Sequence, residues 1–327
     1  MSDRLRLALE RGVVALPDGK LLVVGATVSD TLDGIPKDRT TILSRFADAD
    51  HGFARLGWNC VTEAPFPVDG AIVFLPRSRE AQRGYMKLAA RVTEGGPIIV
   101  DGNKTNGIDA FYRDVKNRVE TSEAWSKAHG KVFVASGREF SDWPSTGARL
   151  CTDDWWRAPG AFSADGIDKA SAFLSDALPK QLTGAVVDLG AGWGYLSKAI
   201  LGKEGVVHLD LVENDFDALS AAQENITDAR AKFHWADALT WRPDALVDHV
   251  VTNPPFHVGR AADPSLGQAF IRAAAAMLKP KGQLWLVANR HLPYEGTLKD
   301  AFRTVELHAE TPSFKIFHAT SPTRRKG

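Results

Sequence analysis

The chain is poor in cysteine: only Cys60 and Cys151 occur among its 327 residues, and they stand far apart. A disulfide framework is thereby excluded. Neither residue sits in a metal or redox spacing, so no metal is expected and both read as free thiols in a reducing compartment. Long apolar runs are missing as well. None approaches the roughly 18 residues that a membrane helix needs, and residues 1–10 alternate charge with leucine where a signal peptide would carry an apolar core. Nor is there an excess of charge, since Lys plus Arg and Asp plus Glu number 40 each and divide almost evenly between the two halves. Without a basic arm, any contact with nucleic acid has to use a local patch. The expectation from these absences is a cytoplasmic protein that makes no use of a membrane.

What is present, 44% apolar and 24% charged residues, suffices for ordinary globular cores. The length favours two domains, read as residues 1–150 and 151–327. The second half alternates clearly, with a helix at 169–178, a strand at 185–189, a helix at 195–201, a strand at 206–212 and a helix at 218–225. Strands at 232–235 and 247–251, a helix at 266–278, a strand at 283–288, a helix near Leu298 and a strand at 315–318 complete it. The first half follows a fainter version, with a helix-like stretch at 40–49, strands at 20–26, 71–75, 97–100 and 131–135, and a helix at 79–92. Such alternation implies the α/β class, a parallel sheet with helices on both faces.

The halves also match in order at three places: 71–76 with 250–255, 95–104 with 281–290, and 131–136 with 315–320. We read a duplicated domain, against a chance recurrence of the α/β pattern. The first copy has lost its chemistry. It carries Val23-Val24-Gly25-Ala26-Thr27 opposite Asp188-Leu189-Gly190-Ala191-Gly192, and Phe74-Leu75-Pro76-Arg77 opposite Asn253-Pro254-Pro255-Phe256.

In the second copy a strand runs through Asp188 into Gly190-Ala191-Gly192-Trp193-Gly194, a glycine loop that opens a helix and lets a ligand approach the backbone. Many nucleotide folds share that device, but a dinucleotide loop would need glycine at Tyr195. Asp188 would repel a pyrophosphate and suits a cationic amino-acid group. Glu213, closing the next strand, can accept from both hydroxyls of a ribose, and Asp237 is placed for an exocyclic adenine amine. Each acid also reads as a solvated strand end. As a set they point to S-adenosylmethionine, held by Asp188, Gly190, Gly192, Gly194, Glu213, Asn214, Asp237 and Ala238.

The strand at 247–251 delivers Asn253-Pro254-Pro255-Phe256-His257 to the carboxyl edge, where open α/β sheets bind ligands. Proline fixes φ, so the Pro254 carbonyl has a set direction beside the Asn253 amide oxygen. Two converging acceptors suit a group with two N–H donors, such as an exocyclic base amine, and Phe256 can lie against the flat face of the base. A strand-ending turn with a core phenylalanine is the other reading. Arg79, Arg83, Lys87 and Arg91 recur every four residues along one helix, a stripe suited to phosphates or simply to solvent. Trp155-Trp156 reads as packing between the halves.

The glycine loop and its acids resemble those of class I S-adenosylmethionine-dependent methyltransferases. Closer still is the similarity to the bacterial ribosomal RNA small-subunit guanine-N2 methyltransferases of the RsmC type. It rests on Pro159-Gly160-Ala161-Phe162-Ser163 with Gly166 and Asp168, on Asn253 to His257, on Ala288-Asn289-Arg290-His291-Leu292-Pro293-Tyr294, and on Phe314-Lys315-Ile316-Phe317. The pattern covers most of residues 151–320 and departs at Trp193 and Val258. The resemblance implies two tandem Rossmann-like methyltransferase domains with seven-stranded, mostly parallel sheets, the N-terminal copy a degenerate scaffold or RNA holder. It implies methyl transfer to guanine N2 in ribosomal RNA or the small ribosomal subunit, with Asn253, Pro254, Pro255 and Phe256 catalytic. Phe162 and His257 would meet the substrate, together with Arg79, Arg83, Lys87 and Arg91, although Phe162 reads nearly as well as core and His257 as a structural hydrogen bond to its loop. A monomer is expected. A large-subunit guanine, a protein glutamine, or a non-catalytic RNA-binding assembly role are the competing readings.

Overall fold

The computed structural model describes residues 4–255, 257–258, 261–262 and 264–323, the side chains at 257, 258, 261 and 262 excepted. The chain divides into two compact units, Met1–Ala148 with Ala158–Gly160, and Arg149–Arg157 with Ala161–Gly327.

The first unit runs α1 (Arg4–Glu10), β1 (Leu21–Val24), β2 (Thr40–Leu43), α2 (Ala47–Arg55), β3 (Asn59–Val61), β4 (Gly70–Phe74) and α3 (Arg79–Val92). There follow β5 (Ile98–Asn103), α4 (Ile108–Lys116), β6 (Glu120–Thr121), β7 (Trp125–Lys127) and β8 (Gly130–Ser136). The sheet order is β3-β2-β1-β4-β5-β8-β6, with β7 also on β8. β8 is antiparallel to its neighbours and the other pairs are parallel. This sheet has eight strands because its last position is divided between β6 and β7. The helix expected at 40–49 is instead β2 and the start of α2. Thr40, Thr41 and Ile42 are β-branched and stiff at χ1, and three of the four β2 residues are buried in the sheet.

The second unit opens with the short pair β9 (Arg149–Leu150) and β10 (Trp156–Arg157), then α5 (Lys169–Ala177), β11 (Gln181–Leu189), α6 (Tyr195–Leu201), β12 (Glu204–Glu213) and α7 (Phe216–Asn225). It continues through β13 (Ala231–Trp235), β14 (Val247–Thr252), the small pair β15 (His257–Val258) and β16 (Ala261–Ala262), and α8 (Pro264–Met277). β17 (Leu278–Asn289), α9 (Glu295–Ala301), β18 (Phe302–Glu310) and β19 (Phe314–Pro322) end it. Its seven-stranded sheet has the order β13-β12-β11-β14-β17-β19-β18, the same path as the first.

Residue registers repeat along with the path. Across the first sheet one row reads Ile42, Val23, Ile72, Ile99, Val134. Across the second the corresponding row reads Leu211, Asp188, Val251, Trp285, His318. All three stretches matched in the sequence fall into this alignment, and the position of Asp188 is valine in the first copy. Alternate strand residues feed cores on opposite sheet faces. In the second unit Val187, Val250 and Leu284 face α8 and α9, whereas Val186, Val251 and Trp285 face α5, α6 and α7. Burial on both faces is why these strands are nearly unbroken apolar runs, and it leaves their carboxyl ends as the place for polar groups.

Candidate functional site

The loop after β11 turns through Gly190, Gly192 and Gly194 at φ of 79°, 56° and 92°. A side chain at Gly192 would meet nothing within 4 Å, so its backbone faces open space, whereas one at Gly194 would stand 3.3 Å from Ala222 and Ile226 of the neighbouring helix region. The first of these two glycines leaves space beside the loop and the second admits α7.

Two acids lie under the loop. Asp188 is 0% exposed. Ser197 Oγ donates to its Oδ2 at 2.6 Å, and Oδ1 has no hydrogen-bond partner among the described residues. Burial pushes its pKa up to about 7 against the lowering effect of Ser197. It sits beneath the loop, toward α6. Glu213, partly buried, ends β12. It takes Gly192 N–H on Oε2 and Asp215 N–H on Oε1, each at 2.8 Å, and burial raises its pKa to about 7 as well. A carboxylate so desolvated favours any cation brought to it.

Asp237 accepts from Leu239 N–H at 2.9 Å and Thr240 Oγ at 3.3 Å, closing its own turn. Ala238 is 4% exposed and packs in the core. The Asn214 carbonyl accepts from Trp235 Nε1 at 2.9 Å.

β14 reaches the same edge. Thr252, fully buried, donates its hydroxyl to the Leu189 carbonyl at 2.7 Å and so ties the two loops together. The next residue, Asn253, donates both amide hydrogens, to Asp168 Oδ2 and Ser171 Oγ, each at 2.9 Å. Asp168 is the N-cap of α5, accepting from Ser171 N–H at 2.8 Å. With its donors committed, what Asn253 can offer a ligand is the Oδ1 acceptor. Pro254 is buried and Pro255 exposed. Phe256 lies outside the described residues, as does the side chain of His257, whose backbone begins β15.

These elements enclose a cleft of about 360 Å³, including open solvent, with Phe162, Gly190, Gly192, Trp193, Tyr195 and Asn253 on its walls. Phe162 is 50% exposed, a solvent-facing ring at the cleft and not a core residue. Trp155 and Trp156 pack within the second unit. Trp155 meets Trp193 edge-on at 5.0 Å and takes Lys198 over its ring at 4.5 Å. Asn225 then bonds the Trp156 N–H and carbonyl and the Trp193 carbonyl. Sequence reasoning missed this support, along with Thr252 and Ser171. The pattern Asp168-x-x-Ser171 ahead of a helix was a capping signal.

In the first unit the basic stripe on α3 is largely engaged. Arg79 and Arg83 share Asp114 at 2.9 and 3.2 Å, and Lys87 donates to the Ser141 and Trp143 carbonyls. Arg91 is exposed at the helix end.

Comparison with known proteins bears on the family and the fold. The methyltransferase small domain family matches residues 154–318. The ribosomal RNA small subunit methyltransferase C of Alteromonas mediterranea is 26% identical over 95% of this chain and 97% of its own. That of Shewanella loihica is 28% identical over 76% of each. A solved structure, the T. thermophilus 16S rRNA N2 G1207 methyltransferase (RsmC) in complex with AdoMet and guanosine, is 25% identical. It overlays with a TM-score of 0.79, covering 98% of this chain and 92% of its own.

Proposed function

This chain belongs to the methyltransferase small domain family, and from that membership we propose that it transfers the methyl group of S-adenosylmethionine to the exocyclic N2 of a guanine in small-subunit ribosomal RNA. Two relatives are named for that RNA, and guanine N2 stands in the name of the structural neighbour. The observation that carries the reading is the Asn253 amide, fixed by Asp168 and Ser171 beside the glycine loop.

The residues present fit that cofactor. Gly192 leaves open space where a side chain would stand, and Asp188 keeps a buried acceptor without a partner among the described residues. Glu213 would accept the ribose hydroxyls and Asp237 the adenine amine, with Asn214 and Ala238 beside them and Gly190 and Gly194 shaping the turn. When bound, S-adenosylmethionine supplies an electrophilic methyl group on a cationic sulfonium.

The guanine N2 lone pair is delocalised into the ring and is a poor nucleophile. Asn253 Oδ1 and the Pro254 carbonyl, accepting both N2 hydrogens, favour the pyramidal amine, Pro255 stiffens the loop, and Phe256 holds the face of the base. The amine held by Asn253 and Pro254 would form the new N–C bond to the sulfonium methyl, the S–C electron pair staying on sulfur. The methylated amine then loses a proton to water, and no strong base is required. Holding both reactants in line accounts for several kcal/mol of the barrier, with about 7–11 as the ceiling. The base has to leave its stack to enter, where Phe162 and His257 would meet it. Arg79, Arg83, Lys87 and Arg91 would hold RNA from the first unit. We read the enzyme as a cytoplasmic monomer; no helix among the described residues is long and apolar enough to cross a membrane.

Transfer of labelled methyl to small-subunit ribosomal RNA, followed by nucleoside digestion, tests the proposal. The expected product is N2-methylguanosine, lost in Asn253→Ala with the fold retained. Label in another nucleoside, or in protein, would overturn it.

A further inference from the structure

A methyl-accepting amine held as described asks only for a carbonyl-type oxygen at position 253, and aspartate could supply one as readily as asparagine. The surroundings decide otherwise. One N–H of Asn253 meets Asp168 Oδ2 at 2.9 Å and the other meets Ser171 Oγ at 2.9 Å. The same Asp168 oxygen accepts the Ser171 N–H at 2.8 Å as the cap of α5. It is therefore anchored to backbone and cannot easily turn away. Ser171 is 6% exposed, so water does not readily take over as donor there. Rotating the amide by half a turn would set Oδ1 against the Asp168 carboxylate, and a carboxylate at 253 would meet it in either orientation.

We propose that Asp168 is a positioning residue: together with Ser171 it fixes which way the Asn253 amide points, and it makes an amide, not a carboxylate, the workable acceptor at 253. The kinetic consequence rests on the methyl-transfer reading. The pairing itself is a property of the folded chain and shows in stability alone. Nothing local in the sequence announces it, since 85 residues separate the partners.

The test is a cycle of Asn253→Asp, Asp168→Asn and the double variant, assayed for kcat and KM on ribosomal RNA and for thermal midpoint. Asparagine caps helices about as well as aspartate, and its oxygen can still accept from Asn253, so Asp168→Asn alone should stay within about fivefold of wild type. Asn253→Asp sets two carboxylates about 3 Å apart, where both cannot ionise. It should cost about 100-fold, mostly in kcat, as misplacement of a reacting group does. In the double variant the amide oxygen introduced at position 168 keeps the Ser171 N–H, and with one carboxylate gone the carboxylate introduced at position 253 can ionise without a like charge beside it. The rate should recover at least about tenfold over Asn253→Asp, and the lost midpoint should return with it.

A double variant no better than Asn253→Asp in rate and midpoint would overturn the inference, because a residue that only caps α5 gives no such coupling. Asp168→Asn as damaging as Asn253→Asp would also overturn it. Should wild-type protein transfer no methyl to RNA, the proposed function falls instead, and the midpoint cycle still decides the pairing.

Discussion

Lowering the pH from 8 to 6 should weaken cofactor binding by about tenfold for each of the two acids under the glycine loop. Asp188 and Glu213 are ordinarily carboxylates with pKa values of 3.8 and 4.5, and burial carries both to about 7. A cationic ligand favours their ionised forms, so binding at pH 6 must first remove protons that are absent at pH 8. For a group at about 7 that returns to its ordinary value in the complex, the linkage amounts to about tenfold at pH 6, and about 100-fold if both respond fully. Titration calorimetry at pH 6 in buffers of different ionisation enthalpy should report about two protons released. Asp188→Asn should remove one of them, because Ser197 can still donate to the amide oxygen and the loop is retained. The ligand's own amine titrates near 8 and is common to both proteins, so the difference belongs to Asp188. Without ligand the dependence runs the other way. A folded pKa above the unfolded one gives stability that is full below about pH 4 and lost as pH rises through about 7. The melting midpoint should thus fall less for Asp188→Asn than for wild type between pH 6 and 8. His249 and His318, whose pKa values burial lowers, act oppositely below 6.5 and equally in both proteins. An affinity constant within about threefold from pH 6 to 8, with no buffer dependence, would refute the argument.

Three substitutions probe the scaffold of the site. Gly192→Ala meets no atom within 4 Å but must hold φ at 56°, so it should cost about 1–2 kcal/mol in urea unfolding while weakening the cofactor by at least about tenfold, since the new methyl enters the cleft. Thr252→Val removes the hydroxyl that reaches the Leu189 carbonyl at 2.7 Å; leaving that buried oxygen unmatched should cost about 1–3 kcal/mol by chemical denaturation. Asn225→Ala deletes three hydrogen bonds to Trp156 and Trp193 and should cost about 2–4 kcal/mol, with Trp fluorescence reporting the loosened loop.

Local pattern made much of this fold legible. α3 spans the residues expected of it because Ser78 caps it, its side chain accepting from Ala81 N–H, and because one face is apolar. α6 likewise starts where Gly194 ends the loop. Other elements left little trace or were passed over. β18 is largely exposed, with Phe302, Val305 and Ala309 its three buried or half-buried positions and two or three exposed residues between them, so no alternation marks it. α4 escaped notice although Ile108, Phe111, Tyr112 and Val115 recur at helical spacing and are all buried. At the site, residue types gave the acids and the Asn-Pro-Pro turn, but not their partners. Asn253 bonds Asp168, and Trp155 packs on Trp193, across separations that only the closed sheet brings together.

The duplication separates what a glycine does for the fold from what it does for chemistry. In the shared register Gly25 corresponds to Gly190, and both have positive φ. A side chain at Gly25 would stand 2.4 Å from the Phe74 carbonyl oxygen and 2.9 Å from Tyr85, and one at Gly190 3.2 Å from Phe270. Tyr85 and Phe270 are each the seventh residue of a 14-residue helix, α3 and α8. That glycine makes room for close neighbours, an aromatic ring in both copies and a backbone carbonyl in the first, a packing reason that both copies share. Two residues on, the copies part. Gly192 is replaced by Thr27, whose N–H and hydroxyl both turn back to Asp30 at 2.7 Å. The acid that holds Gly192 N–H in the second copy has Ser44 at its position in the first. The first loop closes on its own residues, and the second glycine, not the first, marks where the two copies diverge.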